Sequence, residues 1–173
     1  IVVSFVSALV PLLVAIANAD YLRHLYGEAL QYTPIVGQLY VWISGFALFA
    51  FLITLTREIV KDMQDIEGDR EMECRTMPIV WGEKTAKIIV TIFLLMTMAL
   101  IAYLAFAVLP FPCDWKTLST RYVIFGLMVP ILCAIILLWS AKSPLEYRRT
   151  QLVIKFVMFM GVLYSFVIQQ NII

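Results

Sequence analysis

Five long apolar stretches dominate this chain of 173 residues and limit what it can fold into. A helix that crosses a bilayer needs about 20 consecutive, mostly apolar residues, and each stretch is close to that length. The chain is 14% charged, whereas a soluble domain carries about 25% charged residues. The sequence therefore predicts an all-α, multi-pass transmembrane helix bundle, with residues 1–173 as a single domain in the lipid bilayer. The predicted spans are about 1–17, 38–60, 84–109, 121–140 and 150–169.

The Lys and Arg residues between these spans are unevenly distributed. The 18–37 loop carries one, the 57–87 segment six, the 110–121 loop two and the 141–155 segment four. Because cytoplasmic loops are enriched in Lys and Arg, we predict that 57–87 and 141–155 lie on the cytoplasmic side. The chain begins at Ile1 inside an apolar run, and we therefore expect it to be a fragment whose beginning is missing.

Several functions are not indicated by the composition. The net charge is +1 and no run of basic residues is present, so nothing predicts nucleic-acid binding. The three cysteines, Cys74, Cys113 and Cys133, are odd in number and widely spaced. They predict neither a disulfide framework nor a cysteine metal site.

Acidic residues follow the second apolar stretch at a helical spacing. Of the 25 charged residues in the chain, 14 lie between Arg57 and Lys87. Asp62, Asp65 and Asp69 are three and four residues apart, so a helical backbone places their carboxylates on one face. Like charges at this spacing repel each other by a few tenths of a kcal/mol per pair, and a bound cation would relieve that repulsion. Hard cations such as Mg²⁺ take oxygen ligands of this kind, often shared with substrate phosphates.

Basic residues alternate with these acids. Arg57, Lys61, Arg70 and Arg75 lie within or beside the acidic run, and their side chains are suited to binding phosphate oxygens. Acids for a metal and bases for phosphate, at the end of a membrane helix, indicate a metal-diphosphate site that faces a lipid-soluble substrate.

The same residues resemble a known motif. The run Arg57-Glu-Ile-Val-Lys-Asp-Met-Gln-Asp-Ile-Glu-Gly-Asp-Arg70, followed by Arg75-Thr-Met-Pro-Ile79 and Gly82, is similar to the second aspartate-rich motif of the UbiA-type intramembrane prenyltransferases. It looks most like the geranylgeranylglycerol-phosphate geranylgeranyltransferase branch. The resemblance implies five spans of a nine-helix bundle, with an Asp-rich cytoplasmic segment at 57–82.

The resemblance also implies an activity and a set of site residues. Members of the family transfer a prenyl group from an allylic isoprenoid diphosphate to a membrane-soluble acceptor, lipid-like or aromatic, in lipid or quinone biosynthesis. By this resemblance Mg²⁺ is the cofactor. Its expected ligands, which are also the expected catalytic residues, are Asp62, Asp65 and Asp69, and the basic residues expected at the diphosphate are Lys61, Arg57, Arg75 and Arg70.

One part of the family pattern is missing. The family carries a first aspartate-rich motif of the form NxxxD on an earlier helix, and Asn18-Ala19-Asp20 has the wrong spacing for it. We therefore expect four further helices upstream, and we expect residues 1–173 alone not to catalyse prenyl transfer.

Three other interpretations remain open. The acidic run could be a solvated loop, as charge runs usually are. A lipid head-group enzyme of the CDP-alcohol phosphotransferase type also places aspartates beside a membrane helix, but its Asp-Gly-x-x-Ala-Arg run is absent before Asp65. A non-catalytic membrane protein with a cation-binding loop is the third, although transporters usually place ionisable groups near the bilayer midplane.

Overall fold

A computed structural model describes residues 2–17, 35–105 and 118–172 of the chain. Within these ranges the secondary structure is helical and contains no strand, so the all-α prediction is confirmed. The helices are α1 (Val2–Ala17), α2 (Ile35–Gln64), α3 (Ile66–Glu71), α4 (Met77–Trp81), α5 (Glu83–Tyr103), α6 (Leu118–Ser140) and α7 (Pro144–Ile172). The predicted loops at 18–37 and 110–121 lie mostly outside the described residues.

Helix α2 is central to the bundle. It packs against α1, α5 and α7, and α6 completes the bundle by packing against α7 and α5. The core consists of aliphatic side chains from four of these helices, among them Ile53, Leu94, Ile131 and Ile154, which are almost fully buried. Helix α2 thereby holds the acidic residues at its carboxyl end in a fixed position relative to the rest of the bundle.

Three helices are long and apolar enough to cross a membrane: Val41–Gln64, Glu83–Tyr103 and Leu118–Ser140. Helix α1 has 16 residues in the described part of the chain, and α7 begins with the charged residues of the predicted 141–149 loop. The number of five spans therefore remains a prediction. Large apolar side chains on the outer faces are more than half exposed, for example Phe125, Ile136 and Phe159, as is typical of helices that contact lipid.

Two glycines allow neighbouring helices to approach closely. A Cβ atom at Gly161 in α7 would lie 2.4 Å from Cε1 of Phe49 in α2, and one at Gly45 in α2 would lie 2.6 Å from Cδ1 of Leu104. Small residues at such positions are a common means of helix packing in membranes, where apolar burial provides little driving force.

Helix α7 begins earlier than the composition of the 141–149 segment indicates. The Glu146 carboxylate accepts hydrogen bonds from the backbone N–H groups of Lys142 at 2.6 Å and Ser143 at 3.1 Å. Pro144 occupies the first helical position, where its missing N–H costs nothing. These bonds form the glutamate half of an S-x-x-E capping box, and most of the predicted loop is helical.

The capping carboxylate should make stability depend on pH. The hydrogen bonds from the backbone of Lys142 and Ser143 hold the pKa of Glu146 below its usual value. The stabilisation is therefore present above the pKa of the unfolded chain and is lost as the pH falls through the lowered folded-state pKa. We expect the Glu146→Gln variant to have a lower melting temperature than wild type at neutral pH. In acid the two melting temperatures should be closer together. Thermal unfolding of both proteins across a pH series measures this, and a constant difference would contradict it.

Candidate active site

The carboxyl end of α2 emerges from the core and carries the predicted site residues. Val60 and Met63 on this last stretch are almost fully buried, and they anchor it to the bundle. Asp62, between them, is half-buried, whereas Lys61 is exposed. The rigid part of the helix therefore presents Asp62 at the boundary between the apolar core and water.

The acidic face is interrupted at Asp65. Helix α2 ends at Gln64 and α3 begins at Ile66, with Asp65 at φ −97° and ψ 11° between them. The helical hydrogen bonds continue across this bend, from Asp65 N to Lys61 O at 3.0 Å and from Asp69 N to Asp65 O at 2.9 Å. The bend therefore changes the direction of the helix while preserving the register that the spacing of the aspartates predicts.

The environment of Asp62 disfavours its negative charge. Its partial burial weighs most against the charged carboxylate, Asp69 and then Glu58 repel its negative charge, and Lys61 attracts it. Asp65 is exposed, and its Oδ1 lies 3.5 Å from Nε2 of Gln64. Asp69 and Glu58 are thus the acids whose charge acts on Asp62, and Asp65 is exposed to solvent.

The carboxylates fit an open Mg²⁺ site that is shared with water and phosphate better than a closed cage of protein ligands. Among the residues that the structure describes, no group of three or more His, Cys, Asp or Glu side chains is placed to hold a metal ion. A closed cage of three carboxylates is therefore not seen. Mg²⁺ usually keeps several waters and binds through one or two carboxylates and substrate phosphates, and the charge crowding at Asp62 fits that mode. The assignment of Asp62, Asp65 and Asp69 as metal ligands remains a prediction.

The predicted phosphate-binding residues are placed differently from one another. Arg57 is partly buried and forms an ion pair with Glu58 through its Nη2, while its Nε is buried and has no hydrogen-bond partner in the described part of the chain. Lys61, Arg70 and Arg75 are exposed. Arg57 and Lys61 thus lie on α2, where Lys61 adjoins Asp62 and Arg57 pairs with Glu58, whereas Arg70 and Arg75 lie on or beyond α3.

Two apolar cavities adjoin α2 nearer its other end. One, of about 30 Å³, is lined by residues of α2, α5, α6 and α7, including Trp42, Phe46 and Tyr164. The second, of about 270 Å³, lies between α2 and α7 and shares Phe46, Phe49 and Gly161 with the first. Phe49 precedes Asp62 by 13 positions, which corresponds to about 20 Å along a helix. An apolar space therefore lies within the reach of a long hydrocarbon chain from the acidic face.

A polar cluster at the same end of the bundle was not foreseen from the sequence. The buried Lys87 Nζ of α5 donates to the carbonyl oxygen of Ala141 at 2.6 Å and lies 3.3 Å from Oε1 of Glu83. Tyr147 donates its hydroxyl proton to Glu83, and its ring lies 5.3 Å from Lys87 Nζ. Burial and the Glu83 carboxylate raise the pKa of Tyr147, which therefore remains a neutral donor. The cluster fastens the α6–α7 turn to the beginning of α5.

This cluster also bears on the topology. Because Lys87 and Ala141 are in contact, the structure places the 57–87 and 141–155 segments at one end of the bundle. We expect both to be cytoplasmic. Cys74 is exposed and serves as a natural label site, and a cysteine introduced at Ser143 supplies the second, in a protein without Cys113 and Cys133. Neither should react with a membrane-impermeant thiol reagent in intact cells, and both should react after lysis. Labelling of both in intact cells would contradict the orientation.

Comparison with known proteins places this bundle in a class. Residues 1–163 match the model of the UbiA prenyltransferase family. The match covers most of the chain, so the chain belongs to the UbiA prenyltransferase family, a family of multi-pass membrane proteins. The resemblance stated from the acidic motif is confirmed.

Several relatives have the same name. The chain is 34% identical to digeranylgeranylglyceryl phosphate synthase of Methanosphaera stadtmanae over 131 residues, which are 73% of this chain and 42% of the relative. It is 28% identical to the Methanopyrus kandleri protein of that name, over 82% of this chain and 56% of the relative. It is 38% identical to the Pyrococcus furiosus protein of that name, over 46% of this chain and 36% of the relative. The chain thus spans about half or less of the length of these relatives. No solved structure matches it significantly.

Proposed function

We propose that the protein transfers a prenyl group from an allylic isoprenoid diphosphate to a lipid-like acceptor within the membrane, with Mg²⁺ as cofactor. The observation that carries this proposal is the half-buried Asp62, crowded by Glu58 and Asp69, at the end of an apolar helix in a chain of the UbiA family. Because the chain belongs to this family, the CDP-alcohol phosphotransferase interpretation and the non-catalytic interpretation are no longer needed.

The acidic face binds the charged part of the donor. Asp62 and Asp69, with Asp65 at the edge, are the groups that would hold Mg²⁺, and Mg²⁺ bound to a diphosphate neutralises the charge that develops as the diphosphate leaves. Arg57 and Lys61 lie on the same part of α2 and contribute further positive charge toward the diphosphate oxygens. We place Arg75 and Arg70 at the outer side of the diphosphate.

The bond changes follow from this arrangement. The allylic C–O bond breaks, and its electron pair leaves with the diphosphate. A lone pair of the acceptor's hydroxyl oxygen forms the new C–O bond to the allylic carbon, and the hydroxyl proton passes to the departing diphosphate. Since an allylic cation reacts readily with water, the reacting carbon has to be shielded from solvent. The buried apolar side chains of Val60 and Met63, on either side of Asp62, provide a surface that excludes water.

The larger apolar cavity, between α2 and α7, has room for part of a prenyl chain. A diphosphate held near Asp62 leaves its hydrocarbon tail to run along α2 toward Phe49 and Phe46, where the cavities lie. Burial of apolar surface stabilises such a tail by roughly 25 cal/mol per Å². The names of the relatives describe the product as a glyceryl phosphate that bears prenyl groups, and we therefore propose a prenylated glyceryl phosphate as the acceptor class.

The test is an assay of the full-length protein purified from membranes. It is incubated with Mg²⁺, a radiolabelled prenyl diphosphate and, in separate reactions, a prenylated glyceryl phosphate, an aromatic quinone precursor and no acceptor. We expect labelled lipid product with the glyceryl phosphate and little with the aromatic compound. Product with the aromatic compound alone would overturn the acceptor class. The absence of prenyl transfer to either acceptor, in protein that remains monodisperse, would overturn the proposed function.

A further inference from the structure

The end of the bundle that carries the acidic face also carries four exposed cations that the proposed chemistry does not use. They are Lys84 on α5, Lys142 in the α6–α7 turn, and Arg148 and Arg149 on α7. We call these four residues the basic collar. The contacts of Lys87 with Ala141 and of Tyr147 with Glu83 bring the two segments together, so the collar belongs to one region of the surface.

The acids within these segments are already occupied. Residues 83–87 and 141–149 contain two carboxylates, Glu83 and Glu146. Glu83 accepts the Tyr147 hydroxyl proton and pairs with Lys87, and Glu146 accepts the backbone N–H groups of Lys142 and Ser143. Within residues 2–17, 35–105 and 118–172, none of the four cations forms an ion pair. The charge of Arg149 attracts Glu146, but residues 83–87 and 141–149 carry five cations and two carboxylates, so the collar presents a net positive surface.

Exposed apolar side chains border the collar. Trp81, at the end of α4, is 58% exposed, and Leu145, in the first turn of α7, is 71% exposed. Trp139, at the end of α6, is half exposed, and its ring nitrogen donates to Thr91 Oγ1 at 3.0 Å. Tryptophans and cations in such a ring are typical of the level where membrane helices leave the hydrocarbon and enter the head-group layer.

Exposed apolar side chains on the outer faces of α5, α6 and α7 lie close to the collar along each helix. Ile88 and Ile92 on α5, Ile136 on α6 and Leu152 on α7 are exposed, and each lies within three turns of the collar along its helix. The lipid-facing surface thus ends at the basic collar. We propose that the basic collar, with Trp81 and Leu145 beside it, is a docking surface for the head groups of anionic phospholipids of the bilayer.

The charge of the partner follows from the charge of the surface. A cation near an anionic bilayer surface contributes about 1 kcal/mol, which corresponds to about fivefold in affinity. Zwitterionic head groups offer no net charge, and they should bind here only through the apolar contacts. The preference for anionic lipid should weaken at high salt, because the collar is exposed and the charges on it are screened.

The experiment measures the binding of phosphatidylglycerol and phosphatidylcholine, each with the same fluorescent acyl chain, to the protein purified in detergent. We expect phosphatidylglycerol to bind at least about tenfold more tightly. The triple variant Lys142→Gln, Arg148→Gln, Arg149→Gln should lose that preference. The matched control, Lys142→Arg, Arg148→Lys, Arg149→Lys, should retain it because the charge is unchanged. If the triple variant does not remain monodisperse, Arg148→Gln alone should still weaken phosphatidylglycerol binding by about fivefold.

Three results would overturn the proposal. The first is equal affinity of the wild-type protein for the two lipids. The second is a preference that survives neutralisation of the collar. The third is displacement of phosphatidylglycerol by an equal concentration of inorganic phosphate, which would indicate a site for soluble phosphate in place of a lipid docking surface. All three concern lipid binding without turnover, so they do not depend on whether the protein transfers a prenyl group.

Discussion

Asp62→Asn is expected to lower the rate of prenyl transfer at least about a hundredfold. The substitution keeps the shape of the side chain and removes the charge at the point where Glu58 and Asp69 concentrate the negative field. A metal clamp supplies several kcal/mol of transition-state stabilisation, and about 2.7 kcal/mol corresponds to a hundredfold in rate. The measurement is kcat for the purified full-length variant, with Mg²⁺ and both substrates at saturating concentrations.

The matched control is Glu73→Gln. Glu73 is an exposed acid in the same charged segment, and it lies off the acidic face in the link between α3 and α4, at φ 55°. Its neutralisation should leave the rate within about twofold of wild type, because an exposed charge outside the site contributes little. Near-normal turnover of the Asp62 variant would remove that residue from the catalytic machinery. An equal loss in both variants would show a general effect of charge.

Lys87→Met is expected to destabilise the fold by about 1–3 kcal/mol. Methionine keeps the length of the apolar stem but removes the ammonium that bonds to the Ala141 carbonyl and pairs with Glu83. The carbonyl oxygen would then lose its charged donor in a buried environment, and the α6–α7 turn would lose its connection to α5. The measurement is the free energy of unfolding in mixed micelles of detergent and denaturing detergent.

Lys155→Met provides the control for this prediction. Lys155 lies further along α7, is exposed and forms no ion pair in the described part of the chain. Its substitution should leave the stability unchanged or slightly raised. If the free energy of unfolding of Lys87→Met equalled that of wild type, the cluster would have no role in joining α5 to the α6–α7 turn.

The sequence was sufficient for the features that depend on local spacing. The apolar stretches predicted the long helices, and the three aspartates predicted a helical register that the backbone maintains from Lys61 to Asp69. The early start of α7 was also encoded locally, because Glu146 forms the glutamate half of a capping box at Ser143. The high charge of the 141–149 segment indicated a loop, but a capping box stabilises helix irrespective of the charges that follow it.

Contacts between distant residues could not be predicted in this way. Lys87 and Ala141 are 54 residues apart, and a lysine near the beginning of an apolar stretch ordinarily indicates only a helix end. The close approach of Gly161 to Phe49 depends on how α7 lies against α2, which hydrophobic periodicity does not determine. The bend at Asp65 has no glycine or proline beside it to indicate it in the sequence.

The most direct test of the central claim is the binding of a prenyl thiodiphosphate, an analogue whose C–S bond resists ionisation. Isothermal titration of the full-length protein purified from membranes is carried out with excess Mg²⁺ and again with EDTA, for wild type and for Asp62→Asn. If the acidic face binds the diphosphate through the metal, wild type should bind tightly with Mg²⁺ and at least about a hundredfold more weakly with EDTA. Asp62→Asn should bind weakly in both conditions. Equal affinity with and without Mg²⁺ in the wild-type protein would contradict the claim.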